Sequence, residues 1–176
     1  MLKFFKALTI LTPLLFLFFC SCKKNITTPE IGLFGFLTDI QGCKSFESDA
    51  RTESDSPNNR VECIQYDYDG EGLLILKHIN AGFNCCPGKI EPTISATGNL
   101  ISIEEKEQEQ GCFCRCLFDL TYQFTGVAPG EYTLEVKGPY IKDTDEKLIF
   151  NLSLYGPCNG TFCVNRTHYP WDGSSS

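Results

Sequence analysis

The segment from Cys112 to Phe124 constrains the fold of this chain more than any other. Its even-numbered residues are three cysteines followed by large apolar side chains: Cys112, Cys114, Cys116, Phe118, Leu120, Tyr122 and Phe124. Arg115, Asp119, Thr121 and Gln123 occupy odd-numbered positions between them. Because successive side chains of a β-strand point to opposite faces, this alternation predicts a strand whose cysteines continue a core face.

Short segments of the same kind follow Arg60, separated by turn residues. They predict strands at 61–68, 73–80, 90–96, 100–105, 133–136 and 148–154, and residues 31–40 are either a first strand or a hydrophobic arm. Asp69-Gly70 and Thr97-Gly98-Asn99 are typical of hairpin turns, since glycine tolerates a positive φ. No segment after residue 21 has helical period and length. The sequence therefore predicts an all-β fold, and strands at this spacing favour a β-sandwich.

One of these segments resembles a known turn. Residues 126–136, GVAPGEYTLEV, resemble the Pro-Gly-x-Tyr turn and strand of fibronectin-like, transthyretin-like and carboxypeptidase-regulatory β-sandwiches. The resemblance implies a single antiparallel, cysteine-rich β-sandwich of the Ig/fibronectin/transthyretin-like type. It implies no activity, because many unrelated functions use this fold.

The N-terminus predicts a lipid anchor. Lys3 and Lys6 precede an apolar run over 7–19, which is typical of a secretory signal and is shorter than the roughly 20 residues of a spanning helix. Phe19-Cys20-Ser21-Cys22 then resembles the lipobox of bacterial lipoproteins, in which a small residue precedes the lipidated cysteine. Ser21 fits that position, whereas Phe19 stands where the family usually has leucine. The resemblance implies cleavage before Cys22 and lipidation of Cys22.

These features divide the chain into four parts. We expect a signal peptide at 1–21, a lipidated tether at 22–30, a β-sandwich domain at 31–170 and a flexible tail at 171–176. Within the domain, residues 44–60 are charged or polar without periodic apolar positions, which predicts a mobile loop. The expected location is the bacterial cell envelope, lipid-anchored to a membrane and extracytoplasmic.

The charge of the mature chain argues against two classes of partner. Removing residues 1–21 takes away two lysines and no acidic residue, so the formal net charge of −7 becomes −9. Nucleic-acid binding and electrostatic attachment to anionic lipids both need a basic surface. We therefore expect contact with the membrane only through the lipid anchor, and a protein or small-ligand partner that the sequence does not identify.

The sequence offers little that is typical of an enzyme. It contains two histidines, His78 and His168, and lacks a Gly-x-Ser-x-Gly elbow, a glycine-rich phosphate loop and a His-Glu-x-x-His motif. Glu104 and Glu105 are adjacent but belong to a charged run that is typical of a solvated hairpin end. We therefore predict no enzymatic activity and no catalytic residue.

Nine cysteines follow Cys22, and an oxidising compartment makes disulfides their default state. They are Cys43, Cys63, Cys85, Cys86, Cys112, Cys114, Cys116, Cys158 and Cys163. Cys158 and Cys163 enclose a short flexible segment and are predicted to pair. Cys43 and Cys63 bracket the predicted mobile loop and are candidates to close it.

The other five thiols allow two interpretations. Alternate residues of a strand have Cα atoms roughly 6.6–6.8 Å apart, so Cys112, Cys114 and Cys116 should not bond to one another. In the first interpretation Cys85 and Cys86 bond to two of them, which staples the sandwich without a cofactor and leaves one thiol buried. In the alternative, strand thiols bind Zn²⁺ or Cu⁺ together with Cys85 or Cys86, either with or without His78. The competing role for His78 is a hydrogen-bonded strand residue.

The segment from His78 to Asp119, with Asn84-Cys85-Cys86 and Gly111-Cys112-x-Cys114-x-Cys116, resembles a pattern of cysteine-rich bacterial lipoproteins that have no established activity. The resemblance therefore implies a class of protein and no function. The sequence predicts a membrane-anchored extracytoplasmic lipoprotein that acts as a disulfide-stapled binding or structural module, with a metal-binding β-domain as the alternative.

Overall fold

The computed structural model of the chain describes residues 32–44, 59–108 and 112–171. These residues form nine β-strands and no helix. The strands are β1 (Phe34–Gln41), β2 (Val61–Tyr68), β3 (Leu73–Asn84), β4 (Ile90–Thr97), β5 (Leu100–Glu107), β6 (Arg115–Thr125), β7 (Gly130–Lys137), β8 (Leu148–Leu154) and β9 (Cys158–Asn165). No stretch of the described residues is a helix long and apolar enough to cross a bilayer.

The strands build two packed sheets, which confirms the predicted cysteine-rich β-sandwich. The first sheet has the order β1-β6-β3-β2-β9 and the second has the order β4-β5-β7-β8. Neighbouring strands are antiparallel except for β5 and β7, which are parallel. Between β5 and β7 the chain passes through β6 of the first sheet. It therefore re-enters the second sheet as β7 in the same direction as β5.

The core lies between the sheets and is supplied by alternate residues. In β6 the inward residues are Phe118, Leu120, Tyr122 and Phe124, as the sequence predicted, and each is less than 5% exposed. The strand itself begins only at Arg115, so Cys112 and Cys114 precede it. Turn chemistry also agrees with the prediction: the β4–β5 hairpin places Gly98 at a φ of 57°.

A bulge in β3 reverses the sides to which its residues point. Asn80 has a φ of 62°, and the pairing of β3 with β6 shifts between Ile79 and Ala81. Residues 74, 76 and 78 face the core before the bulge, whereas Ala81 and Phe83 face it afterwards. The strand extends to Asn84, four residues beyond its predicted end, because the bulge interrupts the alternation without ending the ladder.

Two other predictions about the chain's organisation are corrected. The strand β9 was not predicted, since its sequence CNGTFCVN holds small and polar residues at a sheet edge. Trp171 was assigned to a flexible tail but is fully buried, because its ring packs on the backbone of Gly82. The signal, the tether, residues 45–58 of the predicted loop and tail residues 172–176 lie outside the described residues.

Candidate functional site

Four disulfides join eight of the nine cysteines in the described part of the chain. The pairs are Cys43–Cys116, Cys63–Cys163, Cys85–Cys114 and Cys86–Cys112, with Cα–Cα distances of 5.2, 4.1, 5.5 and 5.8 Å. Three of these distances lie within the usual range of roughly 4.4–6.8 Å for disulfides, and the Cys63–Cys163 distance is slightly shorter. The structure thus pairs Cys85 and Cys86 with two of the three alternating cysteines, as in the staple interpretation.

The other two predicted pairings are wrong. Cys158 and Cys163 belong to one extended strand, five residues and roughly 16 Å apart, so they cannot meet. Cys163 instead lies directly opposite Cys63 in the β2–β9 ladder. Cys43 follows β1 and reaches Cys116 on the neighbouring strand β6, so the free thiol among the nine described cysteines is Cys158 rather than one of the alternating cysteines.

Two of the disulfides lie side by side where β3 ends and β6 begins. The Sγ atoms of Cys85, Cys86 and Cys112 all lie within 4.8 Å of one another, and Cys114 is bonded to Cys85. Asn84 joins the two segments, since its Nδ2 donates to the Cys112 carbonyl at 2.7 Å and its Oδ1 accepts from the Cys86 amide at 2.8 Å. We call Cys85, Cys86, Cys112 and Cys114 the paired-disulfide cluster.

His78 does not belong to that cluster. It precedes Cys85 by seven residues along β3, a separation of roughly 20 Å, and its side chain is fully buried between the sheets. Nδ1 lies 2.7 Å from Oε1 of Glu105, and Nε2 lies 2.9 Å from Oε1 of Glu62. Both ring nitrogens are therefore engaged, and the structure does not bring His78 to the cysteines, so His78 is not a ligand in the metal alternative.

The contacts of His78 belong to a larger buried polar network. Arg166 follows β9 and donates from Nε to Oε2 of Glu62 at 2.5 Å, and Nη1 donates to the Glu146 carbonyl at 2.6 Å. Tyr122 donates its hydroxyl to Oε1 of Glu105 at 2.7 Å. Since Glu105 lies in β5 and the other strand residues lie in the first sheet, the network connects the two sheets through their core.

The charges in this network determine the protonation of its members. Burial by itself lowers the pKa of His78, but the adjacent Glu105 and Glu62 carboxylates outweigh it and raise that pKa to about 10. The imidazolium can then donate from both nitrogens. Burial raises the pKa of Tyr122 above its usual range, and the charge of Glu105 adds to this effect. At neutral pH the two carboxylates therefore face two cations, His78 and Arg166.

Sequence reasoning missed three members of the network, although a signal was present. Glu62, Glu105 and Arg166 are each no more than 2% exposed. Each lies two residues from a buried apolar residue on its own strand or strand extension: Ile64, Ile103 and Val164. The alternation in β5 therefore indicates that Glu105 faces the core. The interpretation of Glu105 as part of a solvated hairpin end was wrong.

The pKa of His78 predicts that stability depends on pH. A histidine whose pKa is raised by folding stabilises the fold fully below its unfolded pKa, and this contribution is lost as the pH rises through the folded pKa. These values are 6.5 and about 10, so we expect the free energy of unfolding to decrease across that range. Urea unfolding at intervals of pH would measure the decrease. His78→Gln should remove most of it, and an equal decrease in that variant would contradict the assignment.

The surface carries an open groove of about 750 Å³ between β1 and β4, the edge strands that face each other across the sandwich. Phe36 lines the groove and is 46% exposed, and the partly buried Leu37 and Ile94 lie beside it. The groove also contains charged side chains of both signs, Lys89, Glu91 and Lys106. Its lining is suited to contact with a ligand of mixed polarity.

Comparison with known proteins does not assign a function to this chain. No family model matches this chain, and no curated protein or solved structure matches it either.

Proposed function

We propose that this protein is a lipid-anchored lipoprotein of the bacterial cell envelope whose β-domain acts as a disulfide-stapled binding or structural module. The observation that carries the proposal is the set of four disulfides in the described domain. Disulfides of this density indicate an oxidising, extracytoplasmic environment. The lipobox-like sequence before Cys22 then supplies the means of attachment.

The position of the ionisable side chains supports a non-catalytic role. His78, Glu62 and Glu105 are the groups most suited to acid–base chemistry, but they are buried and bonded to one another. An active site needs such groups within reach of a substrate. Their arrangement favours a role in joining the two sheets, and the proposal assigns no reaction to the domain.

The exposed apolar side chains support contact with a partner. Phe34 and Phe36 in β1 are 68% and 46% exposed, and Phe113, between two cysteines of the paired-disulfide cluster, is 100% exposed. Aromatic residues are enriched at interfaces because they bury a large area at a small cost in side-chain entropy. A rigid domain presenting such residues above a membrane is suited to binding a protein or a small ligand.

The anchor is tested by replacing the proposed lipidated residue. Cys22→Ser should release the protein from membranes into the soluble fraction and abolish labelling with a radioactive acyl chain, because lipidation requires the thiol. Cys20→Ser is the matched control and should change neither result. Loss of labelling in Cys20→Ser with retention in Cys22→Ser would show that the cleavage site is misplaced.

A further inference from the structure

The paired-disulfide cluster brings four sulfur atoms together on one surface. Cys85–Cys114 and Cys86–Cys112 join the same two chain segments, and three of their sulfurs lie within 4.8 Å of one another. In a tetrahedral zinc–thiolate centre the Zn–S distance is about 2.3 Å, which places sulfurs about 3.8 Å apart. After reduction the two sulfurs of each pair would have to separate by about 1.7 Å to surround an ion. The sulfur of Cys114, which lies outside the 4.8 Å group, would also have to move toward those of Cys86 and Cys112.

The two bonds are accessible to a reductant. Cys86 and Cys114 are exposed, and Cys85 and Cys112 are half-buried. The Cys63–Cys163 disulfide offers a reductant one accessible cysteine, Cys163, because Cys63 is fully buried. Since thiol–disulfide exchange requires an attacking thiolate to reach a sulfur, we expect the cluster to be reduced before Cys63–Cys163.

The local backbone should hold the four cysteines together when their disulfides are open. The Cys85 amide donates to the Cys114 carbonyl at 3.0 Å, which continues the β3–β6 pairing past the ends of both strands. The Asn84 side chain bonds to Cys86 and Cys112, and the Asn84 backbone amide donates to Oε2 of Glu107 at 2.7 Å. None of these bonds depends on the sulfur atoms.

We propose that the paired-disulfide cluster is a redox-controlled zinc site, in which reduced Cys85, Cys86, Cys112 and Cys114 bind one Zn²⁺ ion. Each disulfide takes two electrons and two protons from a dithiol reductase, whose two thiols become a disulfide. The four resulting thiols release four protons as their thiolates bind the ion. Four thiolates in tetrahedral geometry favour zinc. The inference rests on the proposed extracytoplasmic, disulfide-stapled module and adds a ligand to it.

The experiment uses the full chain purified in detergent and reduced stepwise by a phosphine without oxygen. At each step, alkylation and mass spectrometry would identify the open disulfides, and titration with Zn²⁺ or Co²⁺ would measure binding. We expect the oxidised protein to bind no ion at the cluster. Protein with the cluster reduced and Cys63–Cys163 intact should bind about one Zn²⁺ per chain and give the visible absorption of tetrahedral cobalt–thiolate.

Variants assign the binding to individual thiols. Cys86→Ser should weaken zinc binding about tenfold or more, since it removes one ligand. The matched control is the double variant Cys43→Ser with Cys116→Ser, which removes a neighbouring disulfide and should bind zinc like the wild type. Circular dichroism would confirm that each variant is folded.

Three results would overturn the zinc site. They are the absence of zinc binding by the reduced wild type, undiminished binding by folded Cys86→Ser, and opening of Cys63–Cys163 while the cluster stays oxidised. The membrane release of Cys22→Ser is measured separately from zinc binding. A failure of the anchor assignment is therefore distinguishable from a failure of the metal site.

Discussion

Replacing His78 with leucine should lower the free energy of unfolding by about 3–5 kcal/mol, the usual cost of removing one partner from a buried ion pair. Leucine fills much of the space of the imidazole but supplies no charge and no hydrogen bond. Glu62 and Glu105 would then be buried with one cation, Arg166, in place of two. Equilibrium unfolding in urea, compared with the wild type at neutral pH, measures the loss.

A second substitution separates this electrostatic cost from loss of packing. If the uncompensated charge of Glu105 causes the loss, Glu105→Gln should restore part of the stability of His78→Leu, although it should destabilise the wild type. The control is Lys77→Leu, which removes a cation from the adjacent, 38% exposed position and should cost less than about 1 kcal/mol. Equal losses in His78→Leu and Lys77→Leu would contradict the role of the buried network.

The sheets could be predicted because alternation survives in almost every strand. In β5 the residues Ile101, Ile103 and Glu105 all face the core, and in β6 the inward residues are the even-numbered ones from Phe118 onward. The pattern is local, since it depends only on the two-residue period of an extended chain. It identified every strand except β9, with β1 predicted as a strand or a hydrophobic arm, and it contained the positions of the buried acids.

The disulfide pairs could not be predicted, because they depend on register between distant strands. Cys63 meets Cys163 since β2 pairs with β9, a strand 100 residues later whose large apolar residues are only Phe162 and Val164. Cys43 reaches Cys116 because β1 lies at the edge beside β6. Spacing along the chain favoured Cys158 with Cys163, and only the extended conformation of β9 separates them.

The bulge at Asn80 is a second feature without a clear sequence signal. It exposes the opposite face of β3 to the segment after β9, where Trp171 donates from Nε1 to the Asn80 carbonyl at 2.7 Å. Lys44 binds both the Asn80 side chain, at 2.8 Å, and Asp119, at 2.5 Å. These contacts connect the start of the predicted mobile loop and the start of the predicted tail to one point of the first sheet.

Replacing Trp171 with alanine should therefore cost about 3–5 kcal/mol, as for other fully buried large aromatic residues. The ring is 0% exposed and covers Gly82, where an added Cβ would lie 2.7 Å from it. The substitution removes this packing and leaves the Asn80 carbonyl without its indole donor. Urea unfolding would measure the cost. Tyr155→Ala provides the control, because Tyr155 is also aromatic but is 69% exposed and should contribute little.

A double-mutant cycle with Gly82 tests whether the two residues act through direct contact. Gly82→Ala alone should cost about 1–3 kcal/mol, because its methyl group would overlap the Trp171 ring. In the Trp171→Ala background the overlap is gone, so Gly82→Ala should cost almost nothing. The resulting non-additivity is the energy of the contact itself. Additive losses would show that Trp171 does not pack on Gly82 in solution.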